Sequence, residues 1–267
     1  MPRVFEVWAI ASRLLIKYPQ FSTVGSYNII LACIVFCVLI LINANINCFT
    51  GTAWKKERTA ELVEQAVASG FRAIDTACQP KHYSESGVGD GLRKAYDRGI
   101  VSRQDMFIQT KFTPLSGQDP MRVPYNAFGH LQDQVRQSFA VSLANLHTDY
   151  IDSLVLHSPM THLEDTVAIW RVFEELNVQG RVKYLGISNI YSLDLLTQLY
   201  NQVTVKPTFV QNRFYKQSGF DAGIREFCLD HGMKYQSFWT LTATPAFLRR
   251  YSKISVPFCY FIFSSIS

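Results

Sequence analysis

Phe71–Leu92 reads FRAIDTACQPKHYSESGVGDGL, and the reading of this stretch decides the fold. Arg72-Ala73-Ile74 opens as a short strand and delivers Asp75 at the strand's end. A loop follows, with a turn signal at Pro80 and a phenol at Tyr83. Ser84-Glu85-Ser86 starts a helix whose apolar positions run through Val88 and Leu92 to Tyr96. An acid at a strand terminus and a phenol ahead of the next helix can face one mouth, where strand ends carry chemistry. The plain alternative is a turn-capping Asp75 and an ordinary loop tyrosine.

The same unit repeats along the chain. Amphipathic helices are expected over 57–70, 85–98, 131–146, 163–178, 193–203 and 220–231. Strands are expected over 73–77, 106–112, 150–157, 182–189, 208–214 and 234–239, with a further one at 47–50. Such alternation means right-handed βαβ units around a parallel sheet. Polar residues recur at the strands' C-terminal ends: Asp75, Lys111, His157, Ser188-Asn189, Gln211 and Trp239. A closed barrel gathers those ends at one face. A doubly wound sheet would need a glycine-rich turn after its first strand. The one candidate, Gly87-Val88-Gly89-Asp90-Gly91, falls inside a helix and has Leu92 where the third glycine belongs. The fold expected is therefore α/β, a (β/α)8 TIM-type barrel, incomplete at the first and eighth strands. Such a barrel takes about 250 residues, and the chain of 267 has barely that once its odd N-terminus is set aside.

Composition bounds the function. The chain is 48% hydrophobic and 18% charged, with a net charge of +5 spread along its length. No Lys/Arg run marks a nucleic-acid surface. The six cysteines include no CxxC pair, so neither a disulfide scaffold nor a structural metal site is expected. Residues 1–50 form an N-terminal extension unlike the rest. Arg3, Arg13 and Lys17 precede an unbroken apolar run, Ile29–Ile42, bounded by Asn28 and Asn43. That run is shorter than the ~20 residues that span a bilayer, but extended over 27–48 it makes a candidate transmembrane helix. A signal anchor, a cleavable signal peptide and a buried element all remain open, although the basic region is long for a cleavable signal.

Asp, Tyr, Lys and His at one mouth form a working set. An ammonium beside a phenol lowers its pKa, and a carboxylate holds that ammonium in place. A histidine can donate to an oxygen that gains charge.

GTAWK at Gly51, AIDTA ending at Ala77, IQTKF around Lys111, DSLVLHSP around His157, LGISN ending at Asn189 and FVQNRFY around Gln211 together resemble the aldo-keto reductases. The likeness covers Gly51 to about Thr244. It implies a (β/α)8 barrel that reduces an aldehyde or ketone to an alcohol with NADP(H). The family's roles fall on Tyr83 as proton donor, Lys111 as its tuner, Asp75 as the lysine's anchor and His157 beside the carbonyl. Nicotinamide contacts fall on Ser188, Asn189 and Gln211. The stacking aromatic falls on Trp239, with Thr240 and Leu241 near the pyrophosphate. The resemblance also implies a cytoplasmic protein with a small-molecule carbonyl substrate, anchored to a membrane if residues 27–48 span one.

The chain departs from the family in three places. The insert CQPKH lengthens the gap from Asp75 to Tyr83, as in a fungal subgroup. The expected first strand gives way to the region before Gly51. Beyond a barrel domain at 51–245, the tail 246–267 has no counterpart of the family's basic motif for the adenosine 2′-phosphate. Both ends resemble read-through or mis-joined exons. The second reading is a catalytically silent barrel that binds partners.

Overall fold

The computed structural model describes residues 48–239 and 260–264. Seven parallel strands alternate with six helices: β1 (Cys48–Gly51), α1 (Thr59–Ala68), β2 (Ala73–Asp75), α2 (Glu85–Asp97), β3 (Phe107–Phe112), α3 (Leu131–Leu146), β4 (Ile151–Leu156), α4 (Leu163–Val178), β5 (Val182–Ser188), α5 (Leu193–Gln202), β6 (Phe209–Arg213), α6 (Ala222–Asp230) and β7 (Lys234–Phe238). An eighth strand, β8 (Tyr260–Ser264), closes the barrel by pairing antiparallel with both β1 and β7. The irregularity thus lies where the first and eighth strands meet, and the eighth strand comes from the tail beyond 245.

The two longest helices coincide with their sequence-predicted spans because their apolar spacing is unbroken. In α3, Val135, Ser138, Phe139, Ser142 and Leu146 make one buried face. In α4 the face is Thr166, Ile169, Trp170 and Phe173, with the Trp170 indole donating to the Val205 carbonyl at 2.9 Å. The glycines of α2 are packing surfaces rather than a phosphate loop. A Cβ on Gly89 would stand 2.0 Å from the Asn145 carbonyl oxygen of α3, and one on Gly91 2.5 Å from the Ala60 oxygen of α1.

Strand alternation layers the barrel interior. Phe49, Ala73, Phe107 and Phe209 pack together as an apolar floor. The next inward residues are polar: the Gln109 amide donates to Asp75 Oδ1 at 2.7 Å and to Gln236 Oε1 at 2.9 Å, and the Gln211 amide donates to the same two acceptors at 3.1 Å. Above them lie the strand ends.

The candidate membrane segment 27–48 lies outside the described residues except at Cys48, which is in β1. Phe49, at the far edge of the extended apolar run, is buried against Phe107 at 5.4 Å between ring centroids and so serves the barrel floor. Among the described residues, no helix is long and apolar enough to cross a membrane.

Candidate active site

Asp75 ends β2 and Lys111 is the penultimate residue of β3, so the parallel pairing of these strands brings the two side chains together. The Lys111 ammonium lies 2.7 Å from each Asp75 carboxylate oxygen and 2.8 Å from the Thr76 carbonyl oxygen. Both side chains are buried. Burial favours loss of the Lys111 proton, and the Asp75 charge opposes it. A buried pair of this kind is held by its own geometry: removing one partner would leave the other charged and desolvated.

Tyr83 leans over this pair. Its ring centroid is 5.3 Å from Lys111 Nζ and 6.0 Å from the His157 ring. Tyr83, Lys111, Asp75 and His157 therefore lie side by side. All three hydrogens of the ammonium are spent on Asp75 and Thr76, while burial and then the Asp75 charge push the Tyr83 hydroxyl well above the usual phenol range.

His157 follows β4. Its Nδ1 lies 2.6 Å from the hydroxyl of Thr113, and its carbonyl accepts from the Asn189 amide at 2.8 Å. Burial, with the charges of Lys111 and His82 adding to it, pushes the imidazole pKa down to about 3, so the ring is neutral near pH 7. Thr113 is fixed in turn, since its carbonyl accepts from the Tyr125 hydroxyl and the Gln118 amide.

Ser188, Asn189 and Gln211 form a second polar patch at the ends of β5 and β6. The Ser188 hydroxyl donates to the Gln211 carbonyl at 2.7 Å, and the Asn189 backbone N–H donates to that same oxygen at 3.0 Å. Asn189 takes a left-handed conformation, φ 54°, and its amide also donates to Ser188 Oγ. Trp239, directly after β7, lies 5.9 Å from Trp54 between ring centroids, and the Arg213 guanidinium sits 4.4 Å from the centre of its ring. Thr240 and Leu241 lie outside the described residues.

Three residues at this mouth were not singled out from sequence: Thr113, Arg213 and His82, whose ring packs 5.0 Å from Trp54. The signal for the first two was the two-residue period of a strand. Thr113 lies two beyond Lys111, and Arg213 two beyond Gln211. Behind the mouth, Glu85 is buried between α2 and α3. It accepts from Thr110, Ser142 and Asn145, and burial raises its pKa. It faces the helices rather than the pocket.

Comparison with known proteins places this geometry. The family model described as "Aldo/keto reductase family" matches residues 47–257. An NAD(P)H-dependent D-xylose reductase of Pachysolen tannophilus is 30% identical over 182 residues, covering 59% of this chain and 52% of that protein. An uncharacterised oxidoreductase of Bacillus subtilis is also 30% identical, over 68% of this chain and 59% of its own length. The chain thus spans a little over half the length of these curated relatives. Among solved structures, an aldo/keto reductase of Brucella melitensis superposes with a TM-score of 0.59 at 25% identity, covering 76% of this chain and 74% of that one. An aldo-keto reductase of Bombyx mori, in complex with NADP, shares the fold with a TM-score of 0.58 at 23% identity, over 72% of this chain and 61% of that one.

Proposed function

The chain belongs to the aldo/keto reductase family, and from that membership we propose that it reduces an aldehyde or ketone to an alcohol at the expense of NAD(P)H. The observation that carries this reading is the stack of Tyr83 over the Asp75–Lys111 pair, next to a neutral His157. The relatives named for NAD(P)H and the neighbour solved with NADP support the cofactor class.

The residues present fit a nicotinamide dinucleotide. Ser188, Asn189 and Gln211 cluster at the ends of β5 and β6, Trp239 directly follows β7, and a buried guanidinium nitrogen of Arg213 has no hydrogen-bond partner. When bound, the reduced nicotinamide supplies the hydride. In this reading Ser188, Asn189 and Gln211 hold its carboxamide, and Trp239 stacks on its ring.

His157 orients the substrate. In this reading Nδ1, 2.6 Å from the Thr113 hydroxyl, accepts from it, so Nε2 keeps its proton and donates it as a hydrogen bond to the carbonyl oxygen. Tyr83 gives its proton to that oxygen as negative charge develops there. The phenolate left behind lies over the Lys111 ammonium, which Asp75 holds in place. The high pKa of the free phenol keeps Tyr83 protonated until substrate charge calls for transfer. Within this reading the barrel domain is 51–245, extended by β1 on one side and β8 on the other. No observation favours the catalytically silent alternative.

The test is aldehyde-dependent loss of NADPH or NADH absorbance by the purified chain, repeated with Tyr83→Phe. Turnover in the parent and its loss in the variant support the reading. A variant as active as its parent would overturn the assignment of Tyr83.

A further inference from the structure

We propose that Arg213 is an anion receptor that takes the diphosphate of the dinucleotide at the barrel mouth, an inference that rests on the reductase reading above. The site is built on three sides. Phe209 packs in the barrel floor and the Gln211 amide reaches Asp75 in the layer above it, so strand alternation sends Arg213, two residues on, inward at the top of β6. Its guanidinium is then stacked against two rings, 4.6 Å from the centre of Tyr215 and 4.4 Å from that of Trp239. Its Nε is buried and has no hydrogen-bond partner.

Among the described residues Arg213 takes part in no ion pair. Asp221, the next acid along the chain, spends its Oδ2 on the Asn212 amide and the Tyr235 hydroxyl. A buried donor without an acceptor is a standing cost to the folded state. A guanidinium with its faces against aromatic rings keeps its N–H edge for an oxyanion, and that planar fork suits phosphate and carboxylate alike.

The placement chooses between those two anions. Tyr83 and His157 follow β2 and β4, whereas Arg213 ends β6 and pairs in register with Phe238 of β7, directly before Trp239. The guanidinium therefore stands on the side where Gln211 and Trp239 are read as cofactor contacts, away from the acid–base pair. The Trp239 indole already carries Arg213 at 4.4 Å from its ring centre, so the guanidinium stands where this reading places the cofactor.

The test is binding, followed by fluorescence and calorimetry without substrate. Wild type, Arg213→Gln and Arg213→Lys are titrated with NADPH, NADH, nicotinamide riboside and inorganic pyrophosphate. Arg213→Gln is expected to weaken NADPH, NADH and pyrophosphate by about 10- to 100-fold each, the loss typical of a charge-assisted contact. The two dinucleotides should lose equally, because both carry the diphosphate, and the riboside should lose nothing. Lysine should recover only part, since it keeps the charge without the fork or the stack. If Arg213→Gln fails to fold, the Arg213→Lys comparison still decides. A loss confined to NADPH would place the contact at the 2′-phosphate and overturn the proposal. So would unchanged dinucleotide binding with a raised KM for carboxylate-bearing aldehydes. Dinucleotides that bind wild type and both variants alike sink the anion receptor and leave the reductase reading standing. Arg213-dependent pyrophosphate binding without any dinucleotide binding overturns both the dinucleotide assignment and the reductase reading, and leaves only an anion site.

Discussion

The Thr113 hydroxyl lies 2.6 Å from Nδ1 of His157, and both groups come from the residues that directly follow neighbouring strands, β3 and β4. Lys111 and Thr113 therefore arrive at the pocket from one strand, two residues apart. The first places the charge beneath Tyr83, and the second holds the imidazole ring.

Removing that hydroxyl should cost turnover more than binding. Thr113→Val keeps the shape but leaves Nδ1 without its partner, so the ring is free to move its proton to Nδ1 and present Nε2 as an acceptor. A lost hydrogen bond of about 1–3 kcal/mol predicts a fall in kcat/KM of roughly 5- to 150-fold. Thr113→Ser should restore most of it. Nitrogen chemical shifts of the His157 ring read the tautomer directly, and an unchanged tautomer in Thr113→Val would remove Thr113 from this role.

Breaking the Asp75–Lys111 pair should damage stability and activity separately. Lys111→Met strands a buried carboxylate, a loss of about 3–5 kcal/mol in denaturant unfolding. The double variant Asp75→Asn/Lys111→Met removes both charges and should recover much of that stability while remaining inactive. A double variant as unstable as the single one would show that the pair's hydrogen bonds to the backbone and Gln109 matter more than its charges.

The pH profile of reduction should have no fall at the ordinary phenol pKa of about 10. Tyr83 must be protonated to act, and its pKa is raised by burial and by Asp75, so its acid form persists to higher pH than a free phenol's. Single-turnover rates measured across the alkaline range on the folded protein check this. A rate that halves near pH 8–9 with the fold intact would mean that cofactor binding lowers the phenol pKa, as an ammonium beside a phenol implies.

His157 should make the protein acid-sensitive. Its folded pKa, about 3, lies below the unfolded value of about 6.5. Between those values the unfolded chain binds a proton that the folded one refuses, so stability falls as the pH drops from about 6.5 towards 3. Between pH 7 and 4.5 His157→Asn should lose on the order of 2 kcal/mol less than wild type. Equal acid slopes for the two proteins in urea unfolding would contradict a neutral imidazole in the folded protein.

Alanine at Gly89 should destabilise despite its better helix propensity. The propensity gain is about 1 kcal/mol, but the added Cβ would overlap the Asn145 carbonyl of α3. Backbone cannot yield cheaply, so α2 and α3 must separate, at a net cost of roughly 1–3 kcal/mol. A rise in Tm for Gly89→Ala would mean that the two helices do not pack as described.

Much of this was legible in the chain itself. Leu131–Leu146 and Leu163–Val178 announce their own ends, because an unbroken apolar stripe at helical spacing must be covered along its whole length. The order of strands and the polar residue at each strand's end also follow from local pattern. The antiparallel β8 did not follow, because the direction of pairing is set by where the chain returns to the sheet. Nor did the state of Tyr83. The residue types suggested a phenol loosened by lysine, yet the lysine's hydrogens are already committed to Asp75 and Thr76.

The sequence by itself determined that Asp75, Lys111, His157, Ser188 and Gln211 stand at strand ends on one face, because strand period and βαβ handedness leave few alternatives. Only the tertiary structure decided which of them touch. Strand pairing brings Thr113 to His157 and Arg213 to Trp239, and closing the barrel brings Gln109 to Gln236 across its interior. Those distances depend on the stagger between strands and on which donors are already spent, and neither is written in any single stretch of residues.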